Sequence, residues 1–448
     1  MNLKAMREIF RYPTVIVGVL IILFLVGVSV YTVFAIPYDQ AVKLWRGSEE
    51  DWYKSPKTAE PIWYNWFLKD KLPETKDILT SDPSVTRTVK TAGAGRVITY
   101  TIPINFDYSS FPDDMTLYFT SNFDTKKPFV GISWISPDGK ETRLNSFEIN
   151  SKFTYRLNQD DKVTRKLGGV VASTSLFANP KDPNLKTKPT PVKGTYYLKI
   201  EAVTFDSTAD LSAEYIIYGK LAGWAGTDYL RRDLGIALLW GTPIALMFGL
   251  LAALGTTLTQ LIIAGIGTWF GGWVDTILQR ITEVNMVLPF LPILIMIGTF
   301  YSRSIFVILT AVILLSIFGP GIKTFRAVFM QVKESAYIEA ARSYGASNFR
   351  IIFLYMIPRL IPMLIPQLIV LIPSYVFLEA SLAILGLGDP TLPTWGKMIQ
   401  DAESQGALFQ GWYYWVLEPS ALLMVTGLAF SVVGYAMDRV FNPRLRGQ

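Results

Sequence analysis

The side chains able to do chemistry in this chain are few in kind. Among its 448 residues there is no histidine and no cysteine. That removes the commonest general base, the thiol nucleophile, disulfides and the usual zinc ligands. Carboxylate, lysine and serine chemistry remain. The adjacent acids Asp113 and Asp114, in DDM, and Asp160 and Asp161, in QDD, read as turn acids. No G-x-x-x-x-G-K-[ST] phosphate loop occurs, so ATP is not hydrolysed by this chain, and no catalytic constellation emerges. Glu379 ends an apolar run, where an ionisable group near membrane depth is a functional candidate; Glu418, in WYYWVLEPS, reads as interfacial. The remaining candidate is mechanical: the basic, helix-prone stretch EAARSYGASNFRIIFLYMIP, Glu339 to Pro358. Tyr337, Ala340, Ala341 and Tyr344 fall at i, i+3, i+4, i+7, and Phe349, Ile352, Phe353 and Met356 repeat that spacing. Gly345 between them can take positive φ, and Ser347 is placed to cap a second helix. The spacing predicts two short helices meeting at Gly-Ala-Ser. On periodicity alone such a hairpin is either a plain connector or a presented surface.

The elements that must carry this hairpin are membrane spans. The chain is 50% hydrophobic and 17% charged, and several runs approach the ~20 apolar residues that cross a bilayer. One lies near the N-terminus, Pro13–Ile36, behind a basic start; its length and the lack of a small-x-small cleavage site predict an uncleaved anchor. Five more are read at Thr242–Phe270, Ile281–Tyr301, Ile305–Ile322, Leu360–Leu387 and Trp415–Tyr435. With both termini inside, the short cytoplasmic segments 1–13, 271–283, 321–360 and 436–448 hold 3, 1, 6 and 3 Lys+Arg. The short outer loops 302–304 and 386–415 hold one each, Arg303 and Lys397, so the hairpin is expected in the cytoplasm. Pro289 and Pro292, in VLPFLPILIMIG, should kink or break the third span, either lining a pathway or merely bending it. Trp412 and Trp415 read as an outer aromatic belt.

Between the first two spans lie almost 200 residues of ordinary soluble composition, with 27 Lys+Arg against 25 Asp+Glu over 37–233. The pI near 9.1 therefore comes largely from membrane topology, and no nucleic-acid footprint is expected. Residues 37–94 carry Trp45, Trp52, Trp63 and Trp66, consistent with helices at the headgroup level or with packing against the next domain. Over 95–222 the pattern is β. Ile98, Tyr100, Ile102, Ile104 and Phe106 alternate onto one face, as do Tyr196, Leu198, Ile200 and Ala202, with SPDG (Ser136–Gly139) as a turn. Six or seven short strands predict an outward β-sandwich. The expected division is 1–36 with the first span, 37–94 as linker, 95–222 as β-rich insert, and 223–448 as a five-span core containing the loop 333–360.

Glu339-Ala340-Ala341, Gly345 and the later Ile357-Pro358 resemble the EAA loop of binding-protein-dependent ABC importer permeases. The resemblance extends along 226–448. GTDYLRRD (Gly226–Asp233), GGWVD (Gly271–Asp275), EASLAILGLGDPTLPTWGKMI (Glu379–Ile399) and NPRLR (Asn442–Arg446) are similar, in order and spacing, to dipeptide and oligopeptide permeases, specifically the C-type oligopeptide subunit. Departures are Arg231 where the family has glycine, the absence of a histidine before Gly-Thr-Asp, Ile-Pro for Leu-Pro, and the long insert.

The resemblance implies a type I importer permease fold of about six helices with an inserted extracytoplasmic β-sandwich-like domain, in a prokaryotic cytoplasmic membrane. It implies that Glu339, Ala340, Ala341, Arg342, Gly345, Ala346, Ser347, Phe349 and Pro358 form a coupling helix docked in a groove on a cytoplasmic ATPase, the small residues permitting close approach. Partners would be a second homologous permease, two P-loop ATPases that use ATP and Mg, an extracytoplasmic solute-binding protein, and membrane lipid; no cofactor is expected on this chain. Glu379, Gly386, Gly388, Trp395, Pro289 and Pro292 are the outer-gate or pathway candidates, and Gly386–Trp395 a docking loop. Peptides are the expected solute, with oligosaccharides or nickel as alternatives. A membrane-anchored β-domain receptor is the rival of another class; a proton- or sodium-coupled carrier is disfavoured by the scarcity of embedded acids.

Overall fold

The computed structural model describes residues 13–92, 95–123, 126–179, 184–206 and 208–441. NPRLR and the first twelve residues lie outside them. Two compact units are present, Gly47–Gly235 and a helical unit made of the N-terminal residues to Arg46 together with Ile236 onward.

Gly47–Gly235 is a β-sandwich. Its strands are β1 (Lys76–Leu79), β2 (Thr86–Ala92), β3 (Gly95–Phe106), β4 (Asp114–Asn122), β5 (Phe129–Ile135), β6 (Glu141–Glu148), β7 (Lys152–Arg156), β8 (Gly194–Thr204) and β9 (Asp210–Tyr218). They form a four-stranded sheet, β1-β9-β4-β7, and a five-stranded sheet, β2-β3-β8-β5-β6, with antiparallel pairing throughout. Period-two alternation puts one face of each strand inward. Ile98, Tyr100, Ile102 and Ile104 of β3 and Tyr196, Leu198 and Ile200 of β8 meet Met115, Leu117, Phe119, Tyr215 and Ile217 of the other sheet in one core. SPDG closes the β5–β6 hairpin, with the Gly139 amide donating to the Ser136 carbonyl at 2.8 Å. Sequence periodicity places the onset of β structure at Gly95; the strands begin at Lys76. β1 is only four residues and β2, TRTVKTA, is an exposed edge strand, so neither shows the alternation of a half-buried strand.

The helical unit begins with α1 (Pro13–Ala35) and α2 (Tyr38–Trp45), and continues with α5 (Leu234–Phe270), after the short sandwich helices α3 (Asp161–Lys166) and α4 (Ala172–Ser175). Then come α6 (Gly272–Val287), α7 (Phe290–Phe300), α8 (Ile305–Ser316), α9 (Gly321–Lys333) and α10 (Ala336–Ser343). The forty-residue α11 (Asn348–Leu387) follows, with α12 (Trp395–Ser404), α13 (Ala407–Gln410) and α14 (Tyr413–Phe441). Among the described residues, four helices are long and apolar enough to cross a membrane, or up to six if two bent pairs each count as one span. The pair α6–α7 bends by 75° and α8–α9 by 47°. The first bend falls at Leu288–Pro289: Pro289 sits before the first turn of α7 and Pro292 within it, where a missing N–H removes no helical bond.

α1 packs on α14, with Val15 against Val433 and Ala436. Trp415 is wholly buried within the unit, so it is a core residue and not part of an aromatic belt. Its place in an apolar run beside Trp412 gives no sign of which face it takes.

Candidate coupling site and outer loop

The turn at Gly345 is built by backbone geometry. Gly345 has φ +77°. Its amide donates to the Arg342 carbonyl at 2.9 Å, and the Ala346 amide donates to the Ala341 carbonyl at 3.0 Å. This pair of bonds is the Schellman motif, and it satisfies carbonyls that the end of α10 would otherwise leave open. Two residues on, the Ser347 hydroxyl accepts from the Arg350 amide and starts α11. Pro358 has no N–H to give the Leu354 carbonyl, and the backbone over Ile351–Met356 widens into a π-helical turn.

The hairpin has an inside and an outside. Ile338, Ile351, Ile352 and Met356 are buried, in one cluster with Trp269 of α5, Phe325 and Phe329 of α9, and Leu360 of α11, with Ala341 and Ala346 partly buried against it. Of the residues read on one helix face, Tyr337, Ala340 and Tyr344 point outward, Tyr344 at 93% exposed, while Ala341 is partly buried. Ile338 takes the inner role, and a helix of eight residues is too short for periodicity to fix its rotation. Glu339, Arg342 and Phe349 are exposed too, Phe349 at 63%. The Arg342 guanidinium lies 5.5 Å from the Trp269 ring centre.

The base of the hairpin is braced by ion pairs and caps that sequence reasoning missed. Lys333 donates to the Thr268 and Trp269 carbonyls at 2.9 and 3.1 Å, capping the end of α5. Arg326 forks onto Asp275 at 2.6–3.0 Å, a bidentate pair. Asp275 was legible only as part of GGWVD; its partner lies 51 residues on, beyond any local pattern.

The second constellation gathers at the other ends of α5 and α11. Gly386 takes φ +85° and turns the chain out of α11. Asp389 then accepts from the Thr391 amide and hydroxyl and from the Ile305 amide. Trp395 is buried and its indole donates to the Leu238 carbonyl at 3.0 Å. A Cβ at Gly241 would stand 2.2 Å from the Trp395 ring, and one at Gly396 would stand 2.7 Å from Ala380 and Ala383. Gly388 likewise lies against Ala383. Trp395, Gly388 and Gly396 of LGLGDPTLPTWG thus fit by shape against Gly241 of α5 and Ala380 and Ala383 of α11. Glu379 is buried in α11, with Thr394 near its carboxyl. Pro289 and Pro292 stand apart from this group, at the α6–α7 bend.

In the turn before α5, Arg231 occupies the position where the resembled pattern has glycine, and its φ is +67°. That is left-handed backbone, costly for a residue with a Cβ. The side chain is held on all sides: it donates to the Ser55 carbonyl at 2.6 Å, lies 3.9 Å from Glu49, and stacks its guanidinium 4.7 Å from the Tyr218 ring centre. Arg232 pairs with Asp228 in the buried turn, and the Asp228 carboxylate also accepts from the Leu230 and Arg232 amides.

Comparison with known proteins agrees with this arrangement. Residues 245–447 match the family described as binding-protein-dependent transport system inner membrane component. The chain is 30% identical over 224 residues to a dipeptide transport system permease protein of Bacillus subtilis, covering 50% of this chain and 69% of that one. It is 31% identical over 232 residues to a glutathione transport system permease protein of Pectobacterium atrosepticum, covering 50% and 74%. An oligopeptide transport system permease protein of Escherichia coli is 28% identical over 222 residues, covering 49% and 72%. Each match spans about half of this chain, and with the helical unit, the Gly345 hairpin and the Gly386–Trp395 loop it places the protein: the chain belongs to the family of binding-protein-dependent transport system inner membrane components.

Proposed function

We propose that this protein is a transmembrane permease subunit of an ATP-driven importer of peptides, and that the hairpin α10–Gly345–α11 couples it to an ATPase on another chain. The observation that carries the reading is the hairpin's two-sidedness. Its inner face is locked into the cluster of Ile338, Ile351, Ile352 and Phe329, while Glu339, Ala340 and Tyr344 stand outward and Phe349, although it meets the Phe270 and Phe353 rings, is still 63% exposed. A rigid element that exposes small residues beside two aromatic rings has the composition of a docking surface, with Tyr344 and Phe349 as anchors. The peptide assignment rests on relatives named for dipeptides, oligopeptides and glutathione.

In this reading the hairpin is cytoplasmic with both termini, the sandwich is extracytoplasmic, and a second permease, two ATPases and a solute-binding protein complete the assembly. Glu339 is the charged contact to the ATPase. The Gly386–Trp395 loop is a shape-locked plug near the outer mouth, packed on α11 through Gly388 and Gly396. The test is purification of the tagged protein from its native membranes in mild detergent, comparing wild type with Gly345→Asp by mass spectrometry. Two P-loop ATPases and a second permease should accompany the wild type, and the variant should lose the ATPases. Recovery of the chain alone, or identical partners in both, overturns the coupling assignment.

A further inference from the structure

We propose that Ile62–Leu68 and Trp224 form a rigid aromatic wedge seated in the lipid headgroup layer where α5 meets the membrane. Within the sandwich unit most exposed apolar side chains are isolated and about half covered, such as Val89, Val171 and Phe205, and need no explanation. Trp66 and Phe67 differ: they are neighbours, 81% and 79% exposed. Trp224, at 52%, belongs to the same patch. The Ile62 amide donates to the Gly223 carbonyl at 2.9 Å, and the Trp63 indole donates to the Trp224 carbonyl at 2.9 Å. Trp63 meets Phe67 edge to face at 6.2 Å. Asn65 clamps the loop in both directions, donating to the Leu72 carbonyl and accepting from the Leu72 amide. The rings are therefore held out by a closed hydrogen-bonded turn.

Lipid is the occupant that the surroundings select. The Trp224 ring packs on Gly235, the last residue of its own unit and the point from which α5 runs on: a Cβ there would stand 2.4 Å from the Trp224 indole nitrogen. α5 has 37 residues, about 55 Å at ~1.5 Å per residue, against a hydrocarbon core of ~30 Å. Its ends therefore reach the polar layers, the level at which tryptophan is enriched. Lys69 and Lys71 follow the rings, and both are exposed; their ammonium groups suit the phosphate level. A wedge of this kind would steady the inserted domain at the bilayer, whatever solute the transporter carries.

The lack of cysteine makes the test direct. Leu68→Cys and Val89→Cys each give one site for a nitroxide label in the full chain, reconstituted in nanodiscs of phosphatidylethanolamine and phosphatidylglycerol. Power saturation is measured with oxygen and with a water-soluble nickel chelate. The label at 68 should respond to oxygen and lose the nickel effect, while the label at 89 should keep it. Adding Trp66→Ala and Phe67→Ala should restore the nickel effect at 68 and leave 89 unchanged, which also reports that the domain remains folded. A label at 68 that behaves like 89 in lipid overturns the proposal, as does nickel protection that survives removal of the two rings. Protection at 68 that appears only after a protein partner is added also overturns it, and assigns the patch to that partner.

Discussion

Gly345 separates backbone strain from side-chain clash, because a Cβ built there meets nothing within 4 Å. Any cost of substitution then comes from the φ of +77°. For an ordinary L-residue that region costs about 1–2 kcal/mol, and less for asparagine, which visits it more readily. Gly345→Ala should therefore weaken the two bonds that close the turn, from the Gly345-position amide to the Arg342 carbonyl and from the Ala346 amide to the Ala341 carbonyl. A loss of 1–2 kcal/mol corresponds to roughly 5- to 30-fold faster exchange of those amides, if they open locally. Hydrogen exchange read by mass spectrometry over 340–350, in the full chain in nanodiscs, measures it. The expected order of protection is Gly, then Asn, then Ala, with Val the least protected since branching worsens the same backbone conflict. Peptide-stimulated ATPase activity of the assembled transporter should fall in that order. Exchange in the alanine variant equal to wild type, or valine no worse than asparagine, would refute the claim that the positive φ holds the hairpin.

Three further outcomes follow from the geometry. Arg231→Gly should relieve about 1–2 kcal/mol of left-handed strain but lose a charged hydrogen bond of about 1.5–3 kcal/mol and a cation–π contact of about 0.5–2 kcal/mol. Amides of the 226–233 turn should exchange faster than wild type, and faster still in Arg231→Ala, which keeps the strain and loses the contacts. Trp395→Ala removes a buried ring against Gly241 and should cost about 3–5 kcal/mol, seen as a lower melting temperature in detergent than for Trp395→Phe. Asp160 caps α3, accepting from the Lys162 and Val163 amides, the Tyr155 hydroxyl and Asn145. Burial raises its pKa, but these hydrogen bonds outweigh burial and hold it below the usual value. A folded pKa below the unfolded one makes the cap's contribution complete above about pH 3.9 and lost as pH falls through the lowered value; exchange over 157–167 should accelerate there, and in Asp160→Asn the acid step should vanish.

Positions whose role is local backbone geometry were legible in the sequence. Gly345 and Ser347 could be assigned because a left-handed turn and a helix cap are properties of a few adjacent residues, and the β3 and β8 faces because strand alternation is equally local. Roles that depend on a distant partner were not. Trp395 meets Gly241 and Leu238 across more than 150 residues, and Asp275 finds Arg326 across 51. The outward turn of Tyr344 is of this kind also, since which side of α10 is inner depends on where Trp269 and Phe329 stand. The missing glycine at Arg231 was visible as a departure. Its meaning, a strained backbone held by Ser55, Glu49 and Tyr218, required the coordinates.

The two constellations are joined by α5 and α11, which are gripped at both ends. Leu261, Ala264 and Trp269 of α5 share the hairpin's cluster with Ile351, Met356 and Leu364 of α11. At the opposite ends Trp240, Ile244 and Phe248 share a second cluster with Leu382 and Leu387 and with Leu294 of α7. A force on Tyr344 and Phe349 reaches the first cluster through Ile338 and Ile351, and close-packed interiors respond to such displacement by shifting as units instead of deforming smoothly. α5 carries one internal proline, Pro243, and α11 four, Pro358, Pro362, Pro366 and Pro373, each removing a helical hydrogen bond. In α11, Pro366 and Pro373 lie between the residues of the two clusters, so this helix can bend there, whereas Pro243 of α5 sits beside Ile244 within the second cluster. On the proposed coupling, motion at the hairpin would bend or tilt α11 against α5, and Trp395, tied to the Leu238 carbonyl on α5 and next to Gly396 packed on α11, is where a change in the angle between those two helices would be accommodated.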